Sequence, residues 1–265
     1  MVTAYDAPSA RMVDAAGIDI ILVGDSVAMV VLGHDDTLQV TVADMAHHTA
    51  AVSRAKPSSL VVTDMPWLSY HVSVADTVTN AATLVRAGAE AVKVEGGRKR
   101  VPMIEALVDA EIPVMGHIGL TPQSVNAMGG FKVQGRRQDA ALALVEDARA
   151  LEAAGCFSIV IEGVPDEVGR MITDAVDVPT IGIGAGAGCD GQVLVFHDVL
   201  GLEERVTPKF VRRYAELSTD AVRGLSRFAE DVRTGAFPTD AESYSATRTD
   251  PASLRGLYGS TAPVD

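Results

Sequence analysis

A (β/α)8 barrel is the fold this 265-residue sequence predicts, on three observations. Strand-like and helix-like segments alternate along most of the chain, the pattern of a parallel sheet wrapped by helices. Eight short apolar runs supply eight strands, and the length lies inside the barrel range of about 200 to 400 residues. Five of those runs end on an ionisable side chain: Asp25, Asp64, Glu95, His117 and Glu162. Barrel enzymes collect their reactive groups at the C-terminal ends of strands. A doubly wound open sheet is the alternative reading of the same alternation.

Each element has a local reason. Residues 2–5 form a short first strand, and 8–16 a helix closed by Gly17. Ile20-Ile21-Leu22-Val23 runs into Gly24 and Asp25. A short apolar run bounded by glycine reads as a strand buried on both faces. Residues 41–54 form a helix with Thr41 and Asp44 at capping-box spacing. Residues 60–63 are the third strand. Ser73 caps a helix with Val74, Val78, Ala81 and Val85 on one face, closed by Gly88. Residues 91–94 are the fourth strand, 102–110 a helix and 113–116 the fifth strand. A glycine-rich loop covers 118–135. The helix 139–154 turns Leu144, Ala148 and Leu151 inward. Residues 158–161 are the sixth strand, 166–175 a helix, 180–183 the seventh strand and 192–195 the eighth. Residues 208–234 read as helical, with Phe210, Tyr214, Leu217, Ala221, Leu225 and Phe228 as the apolar stripe. The domain reading is one barrel with C-terminal helices over 1–234. A flexible tail, rich in Ser, Thr, Asp and Pro, follows over 235–265.

Composition narrows the partners. At 48% hydrophobic and 22% charged, the chain can fill a globular core. The formal net charge of −13 disfavours nucleic acid and anionic membranes. No apolar run is long enough to cross a bilayer, and the first residues lack the pattern of a signal peptide. Cys156 and Cys189 form neither a metal-ligand spacing nor a disulfide framework, which reads as a reduced, cytoplasmic protein.

The chemistry starts from Lys93-Val94-Glu95. Strand side chains alternate, so Lys93 and Glu95 share one face while Val92 and Val94 share the other. The valines meet the helices and the two charges point into the barrel, the reverse of ordinary core logic. A structural buried ion pair is the bland alternative. Asp25, Asp64 and Glu95 end neighbouring strands, and three carboxylates this close repel unless a cation sits between them. Hard oxygen donors without a His or Cys set suggest Mg²⁺; helix capping is the alternative role for these acids. Lys93 adds positive charge for an anionic substrate, most simply a carboxylate. Glu162, across the barrel, is placed to remove a proton next to a carbonyl, with a cap or salt bridge as the alternative. His117 is the one histidine expected in the site; His34, His71 and His197 read as surface or rim residues, and His47 and His48 face different directions. The glycines at 182, 184, 186 and 188 precede a strand rather than a long helix, so a dinucleotide loop is rejected.

Particular words of the sequence carry a resemblance. Thr3-Ala4-Tyr5-Asp6, Val23-Gly24-Asp25-Ser26, Gly33-His34, Val92-Lys93-Val94-Glu95-Gly96-Gly97, Gly116-His117-Ile118-Gly119-Leu120-Thr121-Pro122-Gln123-Ser124-Val125, Gly129-Gly130-Phe131-Lys132-Val133-Gln134-Gly135, Ile181-Gly182-Ile183-Gly184-Ala185-Gly186 and Asp190-Gly191-Gln192 occur in order. Over residues 3–238 the chain resembles the ketopantoate hydroxymethyltransferase family. The resemblance implies a barrel of the phosphoenolpyruvate/pyruvate type. It implies transfer of a hydroxymethyl group from 5,10-methylenetetrahydrofolate to 3-methyl-2-oxobutanoate through a Mg²⁺-stabilised enolate, a step toward pantothenate and coenzyme A. By the same resemblance Asp25 and Asp64 are Mg²⁺ ligands, and Glu95 is the third acid at the metal. Ser26 and Lys93 contact the keto acid together with the two aspartates, and Glu162 is the general base. A large homo-oligomer of decamer type is implied as well. The family pattern carries an N-terminal segment ahead of the first strand that this sequence does not, so the barrel bottom is expected to be thinly covered. Asp36, Gln39 and Ala28-Met29 depart from the pattern in the loop after the second strand. The competing readings are a Mg²⁺-dependent carbon–carbon lyase acting on a small 2-oxo or 2-hydroxy acid, and a non-catalytic ligand-binding barrel. Cys156 and Cys189 lie in the wrong places for the cysteine loop of an isocitrate lyase.

Overall fold

Short apolar runs can spend their backbone hydrogen bonds only on one another, and here they do so in sequence order. The computed structural model describes residues 1–203 and 208–244. Its eight strands lie side by side as β1 Val2–Thr3, β2 Ile20–Val23, β3 Leu60–Asp64, β4 Ala91–Glu95, β5 Val114–Gly119, β6 Ser158–Glu162, β7 Thr180–Ile183 and β8 Gly191–Gln192. Every pair is parallel. A single bridge, Val2 to Leu194, brings the last strand back to the first. This is the barrel rather than the open doubly wound sheet.

The helices between the strands are α1 Ala7–Ala15, α2 Val27–Val30, α3 Val42–Ser53, α4 Val74–Arg86, α5 Val101–Asp109, α6 Val125–Met128, α7 Gln138–Ala153, α8 Asp166–Thr173, α9 Phe196–Val199 and α10 Leu217–Thr234. Asp6, Thr41 and Ser73 start α1, α3 and α4, each accepting a backbone N–H of the first turn. Among the described residues no helix is long and apolar enough to cross a membrane.

Strand alternation sorts the core into two layers. Ile21, Val23, Val61, Val92, Val94, Val114, Ile159 and Ile161 face outward and pack with Met45, Val52, Ala81, Leu84, Ile104, Leu107, Ala148 and Leu151. Leu22, Val62, Ala91, Met115, Val160, Ile181 and Val193 face inward and fill the barrel. Two residues beyond each inward apolar side chain the same face is repeated. That step takes Val62 to Asp64, Ala91 to Lys93, Met115 to His117 and Val160 to Glu162. A polar layer therefore rests directly on the apolar plug.

Several elements differ from the sequence expectation for definable reasons. The inner face of α4 is Thr77, Ala81 and Leu84, while Val74 and Val85 are exposed. Thr77 can be buried because its hydroxyl donates to Ser73 O at 2.7 Å. Residues 208–216 are not helical; Tyr214 N–H donates to Val199 O at 2.8 Å instead of to its own turn. β8 ends early because Val195 already serves as the N-cap of α9. The loop 118–135 contains a 3-10 turn, Pro122–Ser124, and the short α6, stopped by Gly129 at φ 67°.

The chain falls into two compact units, Met1–Glu216 and Leu217–Asp265. In the second, α10 buries none of its side chains, and the Phe228 ring meets the Phe237 ring edge-on with centroids 5.4 Å apart. The region expected as a tail carries a turn at Asp240–Glu242 capped by Thr239; its remainder, 245–265, lies outside the described residues.

One glycine ties the fold to the site. Gly119 closes β5 at φ +94°, and a Cβ there would stand 2.2 Å from the backbone oxygen of Glu162. Gly119→Ala is expected to cost about 3 kcal/mol of stability in urea unfolding, from positive-φ strain and forced displacement of β6. A midpoint equal to that of the wild type would show that the close approach is not needed.

Candidate active site

The polar layer at the mouth of the barrel is assembled by register. Asp64 on β3 stands opposite Lys93 on β4, and Glu95 on β4 stands opposite His117 on β5. The cross-strand partners meet: Lys93 Nζ lies 2.9 Å from Asp64 Oδ1, and His117 Nδ1 lies 3.3 Å from Glu95 Oε1. Lys93 Nζ also lies 3.1 Å from His117 Nδ1, so a cation and a carboxylate flank the same ring nitrogen. On the far side His117 Nε2 comes within 3.3 Å of Glu162 Oε2, a contact not aligned as a hydrogen bond. Asp25 follows β2 and joins through its backbone, donating its N–H to Asp64 Oδ2 at 3.0 Å. The chain turns sharply before it at Gly24, where a Cβ would meet Ser26 Oγ at 2.8 Å.

Burial makes these charges costly. Asp64, Lys93, Glu95 and His117 each expose 5% or less of their side chains, whereas Glu162 exposes 16%. Glu162 is therefore the most solvent-exposed of these five side chains. Burial, Asp64 and Glu95 push the Asp25 carboxyl well above the usual range, against Lys93 and Gln123. Burial opposes the charge on Lys93, but Asp64, Glu95 and Asp25 outweigh it and raise its pKa. Burial and Lys93 likewise oppose a charged His117; Glu95 and Glu162 win and lift the ring to about 9, so it is protonated at neutral pH. Glu95 is pulled below the ordinary range by His117 and Lys93 in spite of burial.

The charge balance suits a divalent cation. Four carboxylates, Asp25, Asp64, Glu95 and Glu162, face two cations, Lys93 and His117, leaving the fully ionised cluster two positive charges short. Among the described residues no three His, Cys, Asp or Glu side chains already form a metal cage. An ion bound here would take one or two carboxylates of Asp25, Asp64 and Glu95 as ligands, with substrate and water supplying the rest, the manner of Mg²⁺. The donor set therefore fits the group that the sequence suggested.

All the site residues read from the sequence meet here: Asp25, Asp64, Lys93, Glu95, His117 and Glu162, with Ser26 at the edge. The sequence reading missed three neutral residues. Tyr5 O–H and Ser26 Oγ are hydrogen-bonded at 2.8 Å. Tyr70 O–H donates to Gln123 Oε1 at 2.6 Å and accepts the Glu95 N–H at 3.2 Å. Gln123 donates from Nε2 to Asp25 Oδ2 and to Met65 O, both at 2.9 Å. Tyr5 and Gln123 lie inside the sequence words quoted above, which was the available signal; Tyr70 had none. Of the histidines set aside, His71 meets the Tyr70 ring at a 40° tilt with centroids 4.3 Å apart and is pulled down to about 4 by burial and Arg100, and His48 Nδ1 lies 2.7 Å from Tyr5 O. Neither touches the cluster.

Comparisons with known proteins bear on this geometry. A family model described as ketopantoate hydroxymethyltransferase matches residues 1–240. The 3-methyl-2-oxobutanoate hydroxymethyltransferase 2 of Bradyrhizobium diazoefficiens is 59% identical over 92% of this chain and 83% of its own length. The 3-methyl-2-oxobutanoate hydroxymethyltransferase of Syntrophobacter fumaroxidans is 53% identical over 96% of this chain and 91% of its own. Among solved structures, a phosphonopyruvate hydrolase in complex with oxalate and Mg²⁺ superposes with a TM-score of 0.59 at 15% identity, covering 97% of this chain and 88% of that one. A 2,3-dimethylmalate lyase of the PEP mutase/isocitrate lyase superfamily gives 0.56 at 18% identity, with 97% and 88% covered. These two likenesses show the fold alone, so the lyase reading has only a distant structural relative behind it.

Proposed function

The chain belongs to the ketopantoate hydroxymethyltransferase family, and from that premise we propose how its site works. The enzyme transfers a hydroxymethyl group to 3-methyl-2-oxobutanoate, giving ketopantoate, a step in pantothenate biosynthesis. In our reading Asp25 and Asp64 hold a Mg²⁺ ion, with Glu95 as the third acid beside it. The ion, when bound, withdraws charge from the 2-oxo group and stabilises the enolate. Lys93 and Ser26 bind the keto acid with the two aspartates, and Tyr5 fixes the serine hydroxyl that does so. Water adds to the one-carbon unit of 5,10-methylenetetrahydrofolate and its C–N bonds break, releasing tetrahydrofolate and the carbon at the oxidation level of formaldehyde. Glu162 takes the C3 proton of the keto acid; the electron pair left behind becomes the enolate and attacks that released carbon, whose carbonyl oxygen takes up a proton as the new hydroxyl. His117 Nε2, 3.3 Å from Glu162 Oε2, bounds the position of the base. A decamer-type homo-oligomer is part of the reading on the sequence resemblance. So is a cytoplasmic location, which the free thiols of Cys156 and Cys189 support.

The observation that carries this reading is the acidic cluster of Asp25, Asp64, Glu95 and Glu162, two positive charges short when fully ionised, with Glu162 its most exposed member. The test is incorporation of deuterium at C3 of 3-methyl-2-oxobutanoate in D₂O, with and without Mg²⁺. Exchange is expected with Mg²⁺, product with added methylenetetrahydrofolate, and neither after EDTA. Exchange that survives exhaustive metal removal would overturn the metal assignment.

A further inference from the structure

Gln123 has no charge and no role in the chemistry above, yet it touches the ends of three strands at once. Pro122 opens the turn Pro122–Ser124 directly after β5, and Ser124 N–H closes it on Thr121 O at 2.8 Å. The turn carries Gln123 back over the barrel mouth, where it is 5% exposed. Its backbone N–H donates to Glu95 Oε2 at 3.0 Å, at the end of β4. Its Nε2 donates at 2.9 Å to Asp25 Oδ2, beyond β2, and at 2.9 Å to Met65 O, beyond β3. The carboxamide cannot be reversed. Tyr70 O–H, itself buried and lying under the Arg100 guanidinium, donates to Oε1 at 2.6 Å. Reversal would set Oε1 against a carboxylate and a carbonyl oxygen.

We infer that Gln123 is a positioning residue for the acidic cluster: its carboxamide and backbone N–H hold the Asp25 and Glu95 carboxylates in the attitude that receives a divalent cation. The inference rests on the metal reading above. Donors behind metal-binding carboxylates fix which oxygen is presented, and their loss typically weakens metal binding about 10- to 100-fold. A neutral donor suits this place because it orients an acid without cancelling the charge that attracts the ion. Tyr70 belongs to the same device, since its hydroxyl sets the direction of the carboxamide.

The test is titration of the EDTA-stripped full-length protein with Mn²⁺ alone, followed by calorimetry and by the Mn²⁺ electron paramagnetic resonance signal. Gln123→Met keeps the length of the side chain and removes its donors. It is expected to bind Mn²⁺ about 10- to 100-fold more weakly than the wild type, while melting in EDTA within a few degrees of it. Affinity within twofold of the wild type overturns the inference, because a residue that only fills space is replaced by methionine. If Gln123→Met fails to fold, Tyr70→Phe decides: a severalfold loss of Mn²⁺ affinity supports the inference and an unchanged affinity overturns it. Asp25→Asn locates the ion. Equal binding by wild type and Asp25→Asn overturns the metal reading itself, a different outcome from weak binding lost on changing Asp25 but untouched by Gln123→Met.

Discussion

Glu162→Gln is expected to bind 3-methyl-2-oxobutanoate and to leave its C3 hydrogen unexchanged. The amide has the shape of the acid and keeps its place beside His117 Nε2, but it has no basic oxygen to accept a proton. Removing a positioned general base costs about 10²- to 10⁴-fold in rate, so deuterium incorporation should fall by that factor. Keto acid affinity, read by calorimetry in the presence of Mg²⁺, should stay within a few-fold of the wild type. Exchange at the wild-type rate would move the base elsewhere.

Lys93→Met should unfold far more easily than the wild type. Lys93 and Asp64 form a pair with 5% and 4% of their side chains exposed. Removing one partner of such a pair leaves a buried charge uncompensated, at a cost of about 3 to 5 kcal/mol. Asp25 and Glu95 stand beside Asp64, so the loss falls on a cluster already short of positive charge. Urea denaturation in EDTA measures it. Added Mg²⁺ should raise the midpoint of Lys93→Met more than that of the wild type, because the ion then supplies the missing charge. A variant within 1 kcal/mol of the wild type would mean that the lysine is not what holds the acids together.

What could be read from the sequence was whatever repeats with the period of a strand. Val92 and Val94 outside, Lys93 and Glu95 inside, follow from alternation alone, and the barrel bears them out. So does the convergence of Asp64, His117 and Glu162, since each sits two residues beyond an inward apolar side chain, whereas Asp25 lies past the end of its strand and is brought in by the turn after Gly24. What escaped depends on turns and on neutral partners. Nothing periodic says that the chain after β5 folds back far enough for Gln123 to reach Asp25, 98 positions away in sequence. Tyr70 looks like any aromatic core residue until its hydroxyl is seen between Gln123 and Glu95. The inner face of α4 was misjudged because a threonine bonded to its own helix start packs as well as a valine. The stretch 208–216 has a helical apolar pattern but satisfies a backbone group on Val199.

The wall of the barrel is not equally firm all the way round. Seven neighbouring pairs of strands are joined by ladders, and the eighth joint is the Val2–Leu194 bridge, supported by Thr3 N–H to Leu194 O at 3.3 Å, the Met1 amino group to Gln192 O at 3.1 Å and Phe196 N–H to Thr3 Oγ1 at 2.9 Å. The joint without a ladder of its own is where local opening is expected first, short of global unfolding. Tyr5 lies just past that joint and tethers Ser26, whereas Asp64, Lys93, Glu95 and His117 are braced across the long ladders of β3, β4 and β5. The serine and the acids are thus mounted on parts of unequal stiffness: a compliant rim that can yield as a ligand enters, and a rigid anvil that keeps the charges in place while it does.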